Sequence, residues 1–190
     1  MRYQKLKYRG ATVVAIMKVY LLHGKGGSPD GTVKKLEAVL SPLWPDIQFA
    51  RPRLPHSDYE APALHSVTFL RAMQIEPGAL LVGVSLGGLV AAKLQELDRE
   101  DLHVLAISSP TWVDDVVLER CPARRVAFYS SQDEVIAPRT ADWPQLASMS
   151  RDYPWLTHQT DAHLAPLTRL FGWYVCGELP EKITTDPRGE

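Results

Sequence analysis

Short, almost continuously apolar runs alternate along this chain with stretches whose apolar positions recur every three or four residues. The runs predict strands near 18–22, 46–50, 79–83, 102–107, 124–129 and 155–159. Leu102-His103-Val104-Leu105-Ala106-Ile107 is typical: a strand covered on both faces has no polar side with which to alternate. Helices fall between the runs. In the first, Ser28 reads as the N-cap and Pro29 as the first helical position, and Val33, Leu36, Val39 and Leu40 follow at helical spacing up to Pro42. The second covers about 62–75. The third, about 86–97, sets Leu86, Leu89, Val90, Leu94 and Leu97 on one stripe. The last, about 164–175, repeats Leu164, Leu167, Leu170, Phe171 and Tyr174, with Gly177 as a stop. This alternation predicts an α/β fold, a doubly wound, mostly parallel six-stranded sheet with helices on both faces. No linker interrupts it, so the expectation is a single domain over 17–177, an N-terminal extension 1–16 and a polar tail 178–190.

Composition narrows the picture only a little. The 190 residues carry a net charge of −1, which points neither to nucleic acid nor to a strongly acidic partner. Five basic residues and no acid fall in the first 18 positions, ahead of and bounding the apolar segment Ala11–Met17. That head superficially resembles a signal peptide. Lys18 interrupts the run, however, and no small-residue cleavage site follows, so an extension is preferred, with Met17 as an alternative start. Cys121 and Cys176 have neither redox nor metal-ligand spacing, which suggests reduced thiols and a cytoplasmic protein. No apolar stretch is long enough to span a bilayer. Neither a nucleic-acid nor a membrane partner is expected.

In a doubly wound sheet, ligands bind beyond the carboxyl ends of the strands. After the first strand comes His23-Gly24-Lys25-Gly26-Gly27-Ser28-Pro29, and after the third comes Gly83-Val84-Ser85-Leu86-Gly87. After the fifth comes Ser130-Ser131-Gln132-Asp133-Glu134-Val135-Ile136, and after the sixth Asp161-Ala162-His163-Leu164. The second of these is G-x-S-x-G between a strand and a helix, where a serine can be held in a strained, exposed turn. Side chains at Gly83 and Gly87 would collide across so tight a turn. A Gly-rich backbone loop, a serine, an acid and a histidine thus gather at one sheet edge, in the order Ser, Asp, His.

That set resembles the α/β-hydrolase superfamily over most of residues 17–175, and is similar to its small, nearly lidless bacterial esterases of the YqiA kind. The resemblance implies a minimal α/β-hydrolase fold and a Ser-His-Asp triad. Ser85 would be the nucleophile, His163 the base and Asp133 its orienting acid, with the backbone N–H groups of Lys25 and Leu86 as the oxyanion hole. Glu134 competes with Asp133. His158 competes with His163, but the strand prediction puts it within the last strand. His23 reads as structural, its ring donating to the loop backbone, while His56, His65 and His103 look incidental.

The implied activity is a serine hydrolase acting on small or exposed acyl esters. An acyl thioesterase on the same triad, or a non-catalytic interaction module on the same fold, is the alternative. No cofactor is expected, and no His, Asp or Glu group has metal-ligand spacing. The glycines of 24–27 match neither the phosphate-loop nor the dinucleotide pattern, since Lys25 comes too early and Pro29 occupies the third glycine's place. The segment 108–123 has room for one short helix and no lid domain. Trp112 and Arg53 are candidate substrate contacts. Lys25, Arg51 and Arg53 flank the expected mouth; turned inward they would favour a substrate bearing carboxylate or phosphate, turned outward they form a solvated rim.

Overall fold

The computed structural model describes residues 18–113 and 115–176. The expected extension 1–16, the alternative start at Met17, the helix stop at Gly177 and the tail 178–190 lie outside these residues. A six-stranded parallel sheet forms the centre. Its strands are β1 (Lys18–Leu22), β2 (Gln48–Ala50), β3 (Leu80–Val84), β4 (His103–Ile107), β7 (Arg125–Tyr129) and β8 (Met149–Asp152). They lie in the order β2-β1-β3-β4-β7-β8, with every neighbouring pair parallel. The chain winds outward from β1 to β2, then returns to place β3 on the other side of β1. This reversal opens a crevice between the carboxyl ends of β1 and β3.

Side-chain alternation along the strands divides the core into two layers. Tyr20, Leu22, Leu81, Val104, Ala106, Ala127 and Tyr129 face α2 (Ala63–Ala72), α3 (Leu86–Asp98) and Trp143 of the short α4 (Trp143–Leu146). Val19, Leu21, Leu80, Val82, Leu105, Ile107, Val126 and Phe128 face α1 (Thr32–Leu40) and α5 (Leu164–Cys176). Both faces are covered, which accounts for the unbroken apolar strands. No helix among the described residues is long and apolar enough to cross a membrane.

Three expectations are corrected. The first helix begins at Thr32 after Gly31. Ser28 instead accepts the Asp30 N–H at 3.3 Å, and the Gly31 N–H bonds the Ser28 carbonyl, so 28–31 is a turn. The segment 108–123 carries no helix. It holds the antiparallel hairpin β5 (Trp112–Val113) and β6 (Val116–Val117), in keeping with its aromatic and β-branched residues.

The third correction matters most. The sixth strand is Met149–Asp152, and 155–159 is a loop. β8 is a sheet edge, bonded on one side only, and its Met-Ser-Arg-Asp sequence has no apolar run to announce it. Of the apolar residues that suggested a strand, Leu156 is buried and Trp155 partly buried against the α5 layer, both from a turn. The last ladder bond runs from the Tyr153 N–H to the Tyr129 carbonyl, and Pro154, which has no N–H to donate, follows it.

Leu156 is fully buried and anchors this loop. Leu156→Ala is expected to cost about 2–5 kcal/mol, the range for removing a buried leucine side chain. Urea denaturation followed by circular dichroism checks it; a change within 0.5 kcal/mol, the scale of a surface substitution, would mean that the loop is not pinned by this residue.

Candidate active site

β3 turns into α3 with one residue between them, Ser85, at φ 51° and ψ −126°. Among the described residues only Ser85 and Ser108 are non-glycine residues with positive φ. Such a conformation stores of the order of 1–3 kcal/mol and persists only when its surroundings enforce it. Here they do. A Cβ on Gly83 would overlap the backbone of Gly87 and Gly88, and one on Gly87 would overlap the carbonyls of Leu22 and His23 at the end of β1. The turn is therefore pressed against its neighbours with no space for side chains, and the Ser85 side chain is left pointing into the crevice.

The Ser85 hydroxyl lies 3.1 Å from His158 Nε2, and His158 Nδ1 lies 3.1 Å from Asp133 Oδ2. Asp133 has a fully buried carboxylate. Its other oxygen, Oδ1, accepts the backbone N–H groups of Val135 (2.9 Å) and Ile136 (3.1 Å). The acid is thus fixed at one oxygen and presents the other to the imidazole. An Nδ1–H donating to Asp133 leaves Nε2 as the acceptor for the serine hydroxyl.

The imidazole that bridges Ser85 and Asp133 is that of His158 and not that of the expected His163. Because the last strand ends at Asp152, His158 rides on the loop beyond the sheet edge and reaches across to Ser85. His163 turns back on that same loop. Its Nε2 accepts the Thr157 N–H at 3.2 Å and lies 2.8 Å from the Thr157 hydroxyl, and its ring packs edge-on against Trp155. Asp161, close by, pairs with Lys35 of α1 at 2.6 Å. These contacts hold the segment on which His158 sits. Glu134, the rival acid, is exposed.

Around Ser85 lies a cavity of about 610 Å³, lined by Gly24, Lys25 and Leu86 on one side and by Ile136, Arg139 and His158 on the other. That volume suits a small organic ligand. Gly24 comes close to the serine: a Cβ there would stand 3.1 Å from that of Ser85. In the loop after β1, the Gly26 N–H bonds the His56 carbonyl and the Gly27 N–H bonds that of Gly24, while the Lys25 N–H meets no protein acceptor among the described residues. Leu86 opens α3, where a helix's first N–H groups have no partner within the helix. Neither Trp112 nor Arg53 lines this cavity. Arg53 is exposed, and Trp112 supports the Arg139 guanidinium, 4.8 Å from its ring centroid. Arg51 is taken up by Glu37, Asp30 and the Pro29 carbonyl, so it adds no charge to the mouth. Among the described residues no group of three or more His, Cys, Asp or Glu side chains is placed to hold a metal ion.

Two histidines hold the loop itself. The Leu54 N–H donates to His23 Nε2 at 3.1 Å, which puts the ring proton on Nδ1, 2.9 Å from the Gly24 carbonyl. His56 reads as incidental in the sequence, yet it is fully buried. Its Nε2–H donates to the His23 carbonyl at 2.8 Å, its Nδ1 accepts from the Ser66 hydroxyl at 2.8 Å, and its own carbonyl receives the Gly26 N–H at 2.8 Å. One residue therefore grips the loop at both ends. No local signal reveals this, because its partners come from the loop after β1 and from α2.

Burial pushes the His56 imidazole down to about 4, against the opposing effect of its bond to the His23 carbonyl. Burial also lowers His23. The folded protein keeps both rings neutral where an unfolded chain would protonate them near pH 6.5. Stability from this source is fully present above pH 6.5 and is lost as pH falls toward 4, and for His56 the amount is on the order of 3 kcal/mol. His56→Gln keeps an N–H for the His23 carbonyl but does not titrate. Its unfolding free energy should fall less steeply than the wild type's between pH 7 and 4.5 in urea titrations; parallel curves would exclude His56 as the source.

No protein-family model matches the chain, and no curated protein matches its sequence. Solved structures do match. The ydeN gene product from B. subtilis shares 16% identity at a TM-score of 0.65, over 85% of this chain and 99% of that one. An alpha/beta hydrolase enzyme from the metagenome of lagoon sediments at Mar Chica, Morocco, shares 15% at 0.64, over 85% and 91%. Esterase PE8 shares 18% at 0.61, over 85% and 94%. The chain has the α/β-hydrolase fold.

Proposed function

We propose that this protein is a serine hydrolase that cleaves small or exposed acyl esters through an acyl-enzyme. The observation that carries this reading is the continuous array from Ser85 Oγ through His158 to Asp133, set at the strained turn of a fold shared with hydrolases and esterases. A structural serine has no need of a positive φ, nor of an imidazole oriented by a buried carboxylate. A non-catalytic module would not select for that arrangement.

In this mechanism Ser85 attacks the ester carbonyl while His158 Nε2 takes the hydroxyl proton. Asp133 keeps the imidazole in the Nδ1–H tautomer and stabilises the cation that forms. The carbonyl oxygen becomes an oxyanion, held by the N–H groups of Lys25 and Leu86, with the N-terminal end of the α3 dipole adding to the field. His158 then gives its proton to the departing alcohol. In the second half a water attacks the acyl-enzyme with His158 again as base, which releases the acid and regenerates Ser85.

Ser85→Ala should lower kcat by a factor on the order of 10⁴ or more without loss of folding, and a fluorophosphonate should label Ser85 in the wild type. His158→Ala and Asp133→Ala should also be severely impaired. The double variant Ser85→Ala/His158→Ala should be hardly worse than Ser85→Ala, because one loss already disables proton transfer. His163→Ala should be the milder histidine substitution, since its contacts are with the supporting loop. Single-turnover kinetics and mass mapping of the adduct test the set. Losses that multiply, an adduct elsewhere, or His163→Ala as the more damaging histidine change would each defeat the assignment.

A further inference from the structure

The hydrolase reading leaves open which acyl group enters the cavity. Its charged walls speak to that. Asp133 is committed to His158 and to two backbone N–H groups, and Asp161 to Lys35. The two cations on the walls are not committed. Lys25 has its ammonium 4.5 Å from the centroid of the Tyr59 ring, and Arg139 has its guanidinium over Trp112. Neither has a carboxylate partner or a side-chain hydrogen bond among the described residues.

Arg139 is the more telling of the two. It is half-buried, and the loop beneath it is firmly tied: its carbonyl accepts both the Thr111 N–H (2.6 Å) and the Thr111 hydroxyl (2.8 Å), and its N–H bonds the Ile136 carbonyl. Resting on an aromatic face positions a guanidinium without neutralising it, and its N–H donors remain unspent. Arg53, Arg120 and Arg169 also meet no carboxylate among the described residues, but Arg139 alone of the described arginines lines the cavity, and four others show the contrast. Arg51, Arg71 and Arg99 each meet a carboxylate, and buried Arg125 donates to Gln95 and to the carbonyls of Ala92, Glu119 and Leu146. Acids do lie near Lys25: Glu60 and Asp115 line the adjoining recess of about 310 Å³, where Asp115 accepts the Leu64 N–H. They do not line the cavity that Arg139 borders.

We infer that this site selects acyl groups that end in a carboxylate, with Arg139 as the specificity-determining residue. The inference rests on the hydrolase reading for its chemistry but not for its binding step. A planar guanidinium with free donors pairs with a carboxylate through two parallel hydrogen bonds, while the reacting carbonyl sits at Ser85. Trp112, which does not itself line the cavity, contributes by holding Arg139 in place. Lys25 adds a general attraction that salt would screen.

The test uses aryl half-esters of glutaric and adipic acid, each against the neutral ester with a terminal isopropyl group in place of the carboxylate, corrected for buffer hydrolysis. At low salt the wild type should favour the anionic member by about tenfold in kcat/KM, the scale of one charge-assisted pair. That ratio should fall to about one in Arg139→Met and be partly kept in Arg139→Lys. In parallel, the same pairs are titrated calorimetrically into Ser85→Ala, where the anionic member should bind more tightly. Equal turnover of both members, with equal binding, would overturn the inference and leave the hydrolase reading standing. Preferential binding without turnover in the wild type would do the reverse. A preference that Arg139→Met leaves intact would remove Arg139 as its source.

Discussion

The turn from β3 into α3 has no room for side chains on its inner surface, and most of the site follows from that. Backbone meets backbone at Gly83, Gly87 and Gly88, while the end of β1 closes the other side. Under that compression the one residue between strand and helix is forced to positive φ, and its hydroxyl stands clear of the sheet. The same approach brings the start of α3 beside the loop that follows β1. The N–H groups proposed for the oxyanion thus come from two segments that sheet packing has already put in register. The strain at Ser85 is sustained by core packing, not by any contact within the cavity.

Around this rigid point the other groups are held in different ways. Asp133 is fixed by its own loop, through two backbone bonds to one carboxylate oxygen. The loop after β1 is held by two histidines, His23 within it and His56 from outside, the one bonding the Gly24 carbonyl and the other the His23 carbonyl and the Gly26 N–H. His158 depends on more distant supports: Leu156 sunk into the α5 layer, His163 bound to Thr157, and Asp161 paired with α1. The supports therefore become longer and more numerous in order from Ser85 to Asp133 to His158.

What could be read from the sequence follows the same gradient. The elbow and the acid turn each carry their signal within a few residues of an apolar strand, so β3 with Ser85 and β7 with Asp133 were legible, as was the doubly wound plan. The histidine was not. β8 is a polar edge strand whose stability comes from one-sided backbone pairing, and the apolar residues beyond it look like a strand although they pack from a turn. His56 was illegible for a different reason: Pro55-His56-Ser57 is ordinary loop sequence, and its meaning lies in partners far away in the chain. Arg139, likewise, becomes notable only once it is seen to lack an acceptor, while Arg51, suggested by its position near the mouth, proves to be neutralised.

The position of β8 has a further consequence. As one of the two edge strands it shares ladder bonds with β7 alone, and the loop carrying His158 hangs from its far end. Elements with few neighbours open in partial fluctuations that leave the remaining core intact. Detaching β8 and its loop would separate the imidazole from Ser85 and Asp133 while β1, β3, β4 and β7 stayed folded. An opening confined to the sheet margin would thus break the array of three side chains without unfolding the whole chain.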